Sequence, residues 1–280
     1  MIESVTELPR LRALVAGWKR EGLRVGLVPT MGNLHAGHFS LVERVRERAD
    51  RVVASIFVNP TQFGPNEDFS RYPRTPDADI AGLDQAGCDV AWLPSVAAMY
   101  PLGIEKAMRM HAPGVGETLE GESRPGHFDG VCTVVSRLFN QVQPDAAAFG
   151  RKDYQQLAVI RQMVQDMAFP VEILAGDIVR EADGLAMSSR NQYLSADARV
   201  RAVEMYRTLQ AMREARIDGV EIAEIEGNAS QRLRNAGFVV DYAVLRQPSL
   251  ALPDAGGSGS LMALIAAKLD STRLIDNLEF

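Results

Sequence analysis

Two rhythms of apolar positions alternate along the first two thirds of the chain. Leu11, Leu14, Val15 and Trp18 recur at helical spacing behind Thr6 as an expected N-cap, and "RVGLV" at 24–28 then reads as a strand. A helix is expected from Ala36 with Leu41, Val42 and Val45 on one face, followed by the near-continuous apolar run "RVVASIFV" at 51–58, of strand length. The loop "NPTQFGPNEDFSRYPRTP" leads to a short helix from Asp77 and the strand "DVAWL". The same alternation predicts a helix at 130–142, a strand "AAAF", a helix at 153–167 with Leu157, Ile160 and Val164 inward, and a strand "VEIL". Apolar strands separated by amphipathic helices predict an α/β fold, a doubly wound parallel sheet covered on both faces.

Near Gly176 the texture changes. A helix opening at Ser195 carries Ala202, Met205, Leu209 and Met212 on one side, a second helix is expected near 221–235, and "FVVDYAVL", "SLMALIAA" and "TRLIDNL" alternate as strands. The expected division is therefore a larger domain at 1–176 and a smaller α+β domain at 177–280, with "GGSGS" at 256–260 as a flexible turn.

Composition narrows the class without choosing a function. A chain of 280 residues that is 46% hydrophobic and 24% charged is ordinary globular material, long enough for real cores. A net charge of −6 gives no basic footprint for a nucleic acid backbone. Cys88 and Cys132 form neither a disulfide framework nor a metal knuckle and read as core thiols. The N-terminal residues lack a signal pattern, and the late apolar run "LMALIAA" falls far short of the ~20 residues of a membrane span. These features predict a cytoplasmic protein without nucleic acid or membrane partners.

Chemistry concentrates where expected strands hand over to helices, the place where open parallel sheets bind ligands. In "PTMGNLHAGH", a helix N-terminus offers unpaired N–H groups and a positive dipole end to an anion. His35 and His38, three apart, add two donors on one face, and Gly32 and Gly37 let the backbone approach a ligand. The plain alternative is a turn and helix with two satisfied histidines; a zinc site would have only His111 and His127 as further imidazoles. "FVNPTQFG" brings the amides of Asn59 and Gln62, suited to hydroxyls and carboxylates, or is simply a turn. "FGRKDYQQL" sets Lys152, Asp153 and Gln156 in a first turn, pointing away from the core, as ligand-binding groups or simply as a solvated, charged first turn. Arg124 and His127 in "LEGESRPGHFDGV" border a site or a structural loop, and Asp77 and Asp79 read as capping residues more simply than as Mg2+ ligands.

These blocks, in this order, resemble the pantoate–beta-alanine ligase family, within the class I adenylate-forming and nucleotidylyl-transferring superfamily. "PTMGNLHAGH" resembles its His-x-Gly-His signature, "MSSR" at 187–190 resembles the Lys-Met-Ser-Lys-Ser loop of the superfamily, and "LIAAKLDSTRLIDNLE" resembles the family's C-terminal end. The resemblance implies a Rossmann-like nucleotide-binding domain and a reaction that joins pantoate and beta-alanine into pantothenate through an acyl-adenylate. It implies ATP, with Mg2+ and without a protein-only metal site, at Met31, Gly32, Asn33, Leu34, His35, Ala36, Gly37 and His38. It extends the ATP set to Gly150, Arg151, Lys152, Asp153, Val179, Met187, Ser188, Ser189 and Arg190. Val179 and Arg151 enter it through their backbones, many relatives having Glu where this chain has Arg151. Gln62 and Gln156 are implied for pantoate, Gln62 also for beta-alanine, and Asn59 for the wall of the same pocket. His38 is the implied proton donor, with His35, Lys152 and Arg190 neutralising charge, and a homodimer is the implied assembly. Met31 and Phe63 are our own assignment for the gem-dimethyl group of pantoate. Competing readings are a mononucleotide adenylyltransferase, an aminoacyl-tRNA synthetase, a zinc hydrolase and a catalytically dead nucleotide-binding regulator.

Overall fold

In the computed structural model, residues 1–65, 67–254 and 259–280 are described, so residues 256–258 of the expected "GGSGS" turn lie outside the description. The chain divides into two compact units, Met1–Arg151 with Gln156–Asp177, and Lys152–Gln155 with Ile178–Phe280.

The first unit is built on a six-stranded parallel sheet in the order β1-β4-β3-β2-β5-β6. Its strands are β1 (Glu3–Val5), β2 (Val25–Thr30), β3 (Arg51–Ile56), β4 (Val90–Trp92), β5 (Ala146–Gly150) and β6 (Glu172–Gly176). The helices in chain order are α1 (Leu8–Arg20), α2 (Ala36–Arg46), α3 (Pro76–Gln85), the one-turn α4 (Val96–Met99) and α5 (Glu120–Ser123), α6 (His127–Val142) and α7 (Tyr154–Asp166). Period-two alternation sends successive strand residues to opposite faces. Leu27, Val53, Trp92 and Phe149 thus join α1, α6 and α7 in one core. Val28, Ala54, Ala91 and Ala148 join Leu41, Val42 and Val45 of α2 and Leu83 of α3 in another. The sheet is doubly wound, as the apolar pattern predicts.

Three positions fix where the site forms. A Cβ on Gly26 would lie 2.8 Å from a Val45 methyl, and one on Gly176 would lie 2.2 Å from a Leu41 methyl. Their bare backbones therefore let α2 lie close on the sheet, with its N-terminus beyond the carboxyl end of β2. A Cβ on Gly130 would come within 2.3 Å of the Thr61 carbonyl, so α6 likewise approaches the loop after β3. Strand order reverses between β2 and β5, which places the loops following both strands at the topological switch point.

The second unit carries α8 (Ala196–Ala202), α9 (Glu204–Ile217) and α10 (Ile222–Asn235) and an antiparallel sheet, β7 (Phe238–Arg246), β8 (Met262–Leu269) and β9 (Thr272–Glu279), in the order β7-β8-β9. Its core joins Met205, Leu209 and Met212 to Ile225, Leu233, Phe238, Leu245 and Ile265. The single helix expected from Ser195 is two helices: Ser195 caps α8, and Val203 closes it and opens α9. The apolar stripe continues across the break, so periodicity could not register it. The first helix, expected behind Thr6, is capped instead at Glu7 without a side-chain bond. The expected core thiols are buried at Cys88 and Cys132, and burial pushes each up to about 12.

Candidate active site

At the end of β2 the Thr30 hydroxyl donates to the Ser55 carbonyl of the neighbouring strand (2.7 Å) and accepts from the Gly32 amide (3.3 Å). The chain then turns through positive φ at Gly32 (86°) and Asn33 (53°). A Cβ at Gly32 would sit 3.1 Å from Asp79 Oδ2, so glycine serves both the dihedral and the close approach. Asp79, 2% exposed, accepts from the amides of Asn33 (2.9 Å) and Leu34 (2.7 Å) and from the Thr75 hydroxyl (3.1 Å). The expectation that Asp79 caps its own helix is corrected here: Thr75 occupies the N-cap of α3 without a side-chain cap bond, and the Asp79 carboxylate holds the loop after β2. The amides of Asn33 and Leu34 thus serve an internal anion.

His35 and His38 open α2 as a reciprocal cap. His35 occupies the N-cap, its Nδ1 accepting from the Gly37 amide at 3.2 Å, while His38 Nδ1 accepts from the His35 amide at 3.3 Å. This is the capping-box pattern with imidazoles in place of a hydroxyl and a carboxylate. An Nδ1 that accepts carries no proton, so the neutral rings hold theirs on Nε2. Both rings therefore present Nε2–H donors, their centroids 4.2 Å apart, at a helix N-terminus.

The loop after β3 is held by a buried polar network. Asn59, 1% exposed, accepts at Oδ1 from the Tyr100 hydroxyl (2.6 Å) and from the hydroxyl and amide of Thr61 (3.0 and 3.3 Å). Its Nδ2 donates to Gln62 Oε1 (3.1 Å) and to the Gly130 carbonyl (3.2 Å). So many internal bonds make Asn59 the group that orients Gln62. The Gln62 Nε2 approaches the Met31 sulfur at 3.0 Å, joining two expected site residues. Phe63 stacks edge-on against Phe69 and Tyr72.

Behind Gln62 stand Arg124 and His127. The Gln62 carbonyl can only accept, so the 2.8 Å contact from His127 Nδ1 fixes the proton there, and Nε2 accepts from Arg124 Nη1 at 3.1 Å. Burial first, and then the Arg124 charge, push His127 down to about 4, which keeps this tautomer neutral near pH 7. Arg124 is itself gripped by Glu67 through two bonds (2.7 and 2.6 Å) and by Glu120 (3.2 Å). Burial works to raise the Glu67 carboxyl, but the hydrogen bond and charge of Arg124 win and lower it. Arg124 and His127 thus fix the backbone of Gln62.

Of the block after β5, Gly150 and Arg151 belong to the first unit, where Arg151 turns its Nε toward Asp177 at 3.8 Å, side chain 42% exposed. Gln156, half-buried in the first turn of α7, also lies in the first unit. Lys152 and Asp153 cluster with the second unit, the Lys152 ammonium lying 3.8 Å from Asp153. There the Met187 amide donates to the Val179 carbonyl (2.9 Å), and Arg180 and Ala186 form an antiparallel bridge, so 179–187 is a tight hairpin. Ser188 follows as the cap of a 3-10 turn, its Oγ accepting from the Arg190 amide at 3.3 Å, and Ser189 is buried. Asp79, Arg124 and His127 are the supporting residues that sequence reasoning under-read. Each acts across tens of residues, so no local pattern announces it. Among the described residues no group of three or more His, Cys, Asp or Glu is arranged to hold a metal ion, and no helix is long and apolar enough to cross a membrane.

Likeness to known proteins runs along the whole chain. The family profile described as pantoate-beta-alanine ligase matches residues 3–279. A pantothenate synthetase from Stenotrophomonas maltophilia (strain R551-3) is 69% identical, and one from Xanthomonas euvesicatoria pv. vesicatoria is 68% identical, each over all of both chains. Among solved structures, pantothenate synthetase from Thermus thermophilus superposes with a TM-score of 0.91 at 46% identity, covering 99% of both chains. Pantoate-beta-alanine ligase from Francisella tularensis, complexed with beta-gamma ATP and beta-alanine, gives 0.84 at 30% identity, covering 99% of this chain and 97% of its own.

Proposed function

The chain belongs to the pantoate–beta-alanine ligase family, and from that premise we propose that it condenses pantoate with beta-alanine to pantothenate, converting ATP to AMP and pyrophosphate. The supporting observation is the capped pair His35 and His38, two Nε2–H donors at a helix N-terminus beyond the carboxyl end of β2.

A carboxylate does not condense with an amine at neutral pH, because oxide would have to leave. The pantoate carboxylate oxygen therefore attacks the α-phosphorus of ATP, the bond from that phosphorus to the bridging oxygen breaks, and pyrophosphate departs. The free amine of beta-alanine then attacks the acyl carbon of the mixed anhydride, AMP leaves with the bonding pair, and the new amide nitrogen releases a proton to solvent. No enzyme nucleophile is needed. The work is positioning and neutralising charge on phosphoryl oxygens.

In this reading His38 and His35 donate hydrogen bonds from Nε2 to phosphate oxygens, and His38 acts as proton donor in its imidazolium form, which the phosphate charge favours. ATP enters as its Mg2+ complex, the metal riding on the phosphates as part of the substrate. Residues 31–38, Gly150, the backbones of Arg151 and Val179, Lys152 with its charge-neutralising ammonium, Asp153, and Met187, Ser188, Ser189 and Arg190 form the ATP set. Arg190 brings a bidentate fork and the serines bring hydroxyls. Gln62 binds pantoate and beta-alanine, Gln156 binds pantoate, and Asn59 acts by orienting Gln62. Met31, beside Gln62, supplies apolar surface for pantoate, and Phe63 is assigned with it. The working form is a cytoplasmic homodimer, which light scattering on the purified protein tests. The decisive assay is exchange of labelled pyrophosphate into ATP: it is expected to require pantoate and to proceed without beta-alanine. Exchange that ignores pantoate and answers to a phosphate-bearing acceptor would replace this reading with a mononucleotide adenylyltransferase.

A further inference from the structure

The C-terminal strand β9 carries two adjacent polar residues, Asp276 and Asn277, at only 3% and 4% exposure. Neighbours on a strand face opposite sides, so a single apolar core cannot account for burying both. Asp and Asn are seldom buried without a specific partner, and here the partners are Arg180, next to the candidate Val179, and the candidate Lys152, all in the same unit.

Asp276 takes both terminal nitrogens of Arg180, Nη1 to Oδ2 at 2.6 Å and Nη2 to Oδ1 at 2.9 Å. The same guanidinium donates to the Gly184 carbonyl (3.1 Å) and the Asn277 carbonyl (3.2 Å) and lies over the Tyr206 ring at 4.0 Å. Gly184, at φ 99°, approaches that ring so closely that a Cβ would sit 2.5 Å from it. Arg180 is thus pinned on several sides and holds the hairpin at its turn as well as at its strand. The Asn277 amide donates to Asp276 Oδ1 at 2.8 Å, tying the two residues together. Asn277 Nδ2 donates to the main-chain carbonyl of Lys152 at 2.9 Å, across 125 positions of sequence.

We infer that Asp276 and Asn277 are positioning residues of this unit: Asn277 fixes the backbone that carries the Lys152 ammonium, and Asp276, through Arg180, fixes the hairpin that leads into residues 187–190. One rigid dipeptide then sets the stance of both cationic segments. This deepens the function proposed above and rests on it, because it matters only where Lys152 and Arg190 handle a triphosphate. Misplacement of a catalytic group by about 1 Å costs roughly 100-fold in rate, so loss of a backbone tether falls on the step that expels pyrophosphate.

The test uses the full-length chain and follows the two half-reactions separately. Pantoate-dependent pyrophosphate exchange reports the first. Conversion of synthetic pantoyl adenylate and beta-alanine to pantothenate reports the second, in which no pyrophosphate moves. Asn277→Ala is expected to lower exchange kcat/KM for ATP by roughly 10- to 100-fold while the second half-reaction stays within about threefold. Asn277→Asp keeps the side chain's shape but sets a carboxylate against the Lys152 carbonyl; it is expected to lose at least as much, and it carries the test if Asn277→Ala does not fold. Equal losses in both half-reactions, tracking a lowered thermal midpoint, or no loss in either, would overturn the inference with the proposed function intact. A wild-type chain without pantoate-dependent exchange would overturn the proposed function, and this inference with it.

Discussion

The head of α2 and the loop after β3 hold candidate functional side chains in opposite ways. His35 and His38 are oriented by bonds to backbone amides no more than three residues away, so the helix start itself sets their rings. Gln62 is oriented from a distance, by Asn59 with Gly130 and Tyr100, and by His127 and Arg124 gripping its carbonyl. Short-range capping tolerates change elsewhere in the fold. A network spanning many residues transmits each defect to the group it holds, since a buried donor or acceptor deprived of its partner costs about 1–3 kcal/mol.

Splitting the two duties of His38 gives the largest expected effect. Glutamine at this third helical position can reach back to the N-cap amide but offers no imidazole. His38→Gln is expected to keep its thermal midpoint within about 2 °C while kcat falls about 100- to 1,000-fold. An equal loss of stability would show that capping, not donation, is what the ring supplies. Next comes Asp79→Ala, which strips the partner from two loop amides. It is expected to cost about 2–3 kcal/mol in denaturant unfolding and to raise KM for ATP, with Asp79→Asn losing less on both counts. An unchanged KM would separate the loop after β2 from nucleotide binding.

A pH titration of stability probes the remote network. His127 is ordinarily near 6.5 and sits at about 4 in the fold. Between those values the unfolded chain binds a proton that the folded chain refuses, so stability rises with pH across the window. The contribution of neutral His127 is therefore complete above about 6.5 and is lost as pH falls toward 4. Thermal midpoints should drop through this range, and less steeply in His127→Gln; matching slopes would remove His127 as the cause. Smallest of all is Arg151→Ala, expected to change kcat/KM for ATP less than about twofold, because an exposed pair such as Arg151 with Asp177 contributes little.

Much of the framework was legible in the sequence because its causes are local. The near-continuous apolar run in "RVVASI" points to a strand covered on both faces, the helical stripe of Leu41, Val42 and Val45 points to one covered face, and the structure covers all of them. The start of α2 was legible from the apolar stripe that follows Ala36, while the imidazole cap formed by His35 and His38 was not read. The three-residue β1 was missed because its pairing with β4 is decided 87 positions away. Asp79 read as a cap because two carboxylates at a helix start usually are; only the fold reveals that one of them turns toward the loop after β2.

By itself the sequence determined the α/β alternation, the strand-to-helix loops that hold the candidate site residues, and the family to which the chain belongs. Local bonds and period-two or helical burial act within a few residues, so their pattern is written in order along the chain. Which groups stand behind the functional ones was decided only by the tertiary structure. Asn277 meets Lys152 across 125 residues and His127 meets Gln62 across 65, and such meetings exist only once separate elements pack. A buried hydrogen bond is set by distance and angle in space, and neither quantity is encoded in the spacing of letters.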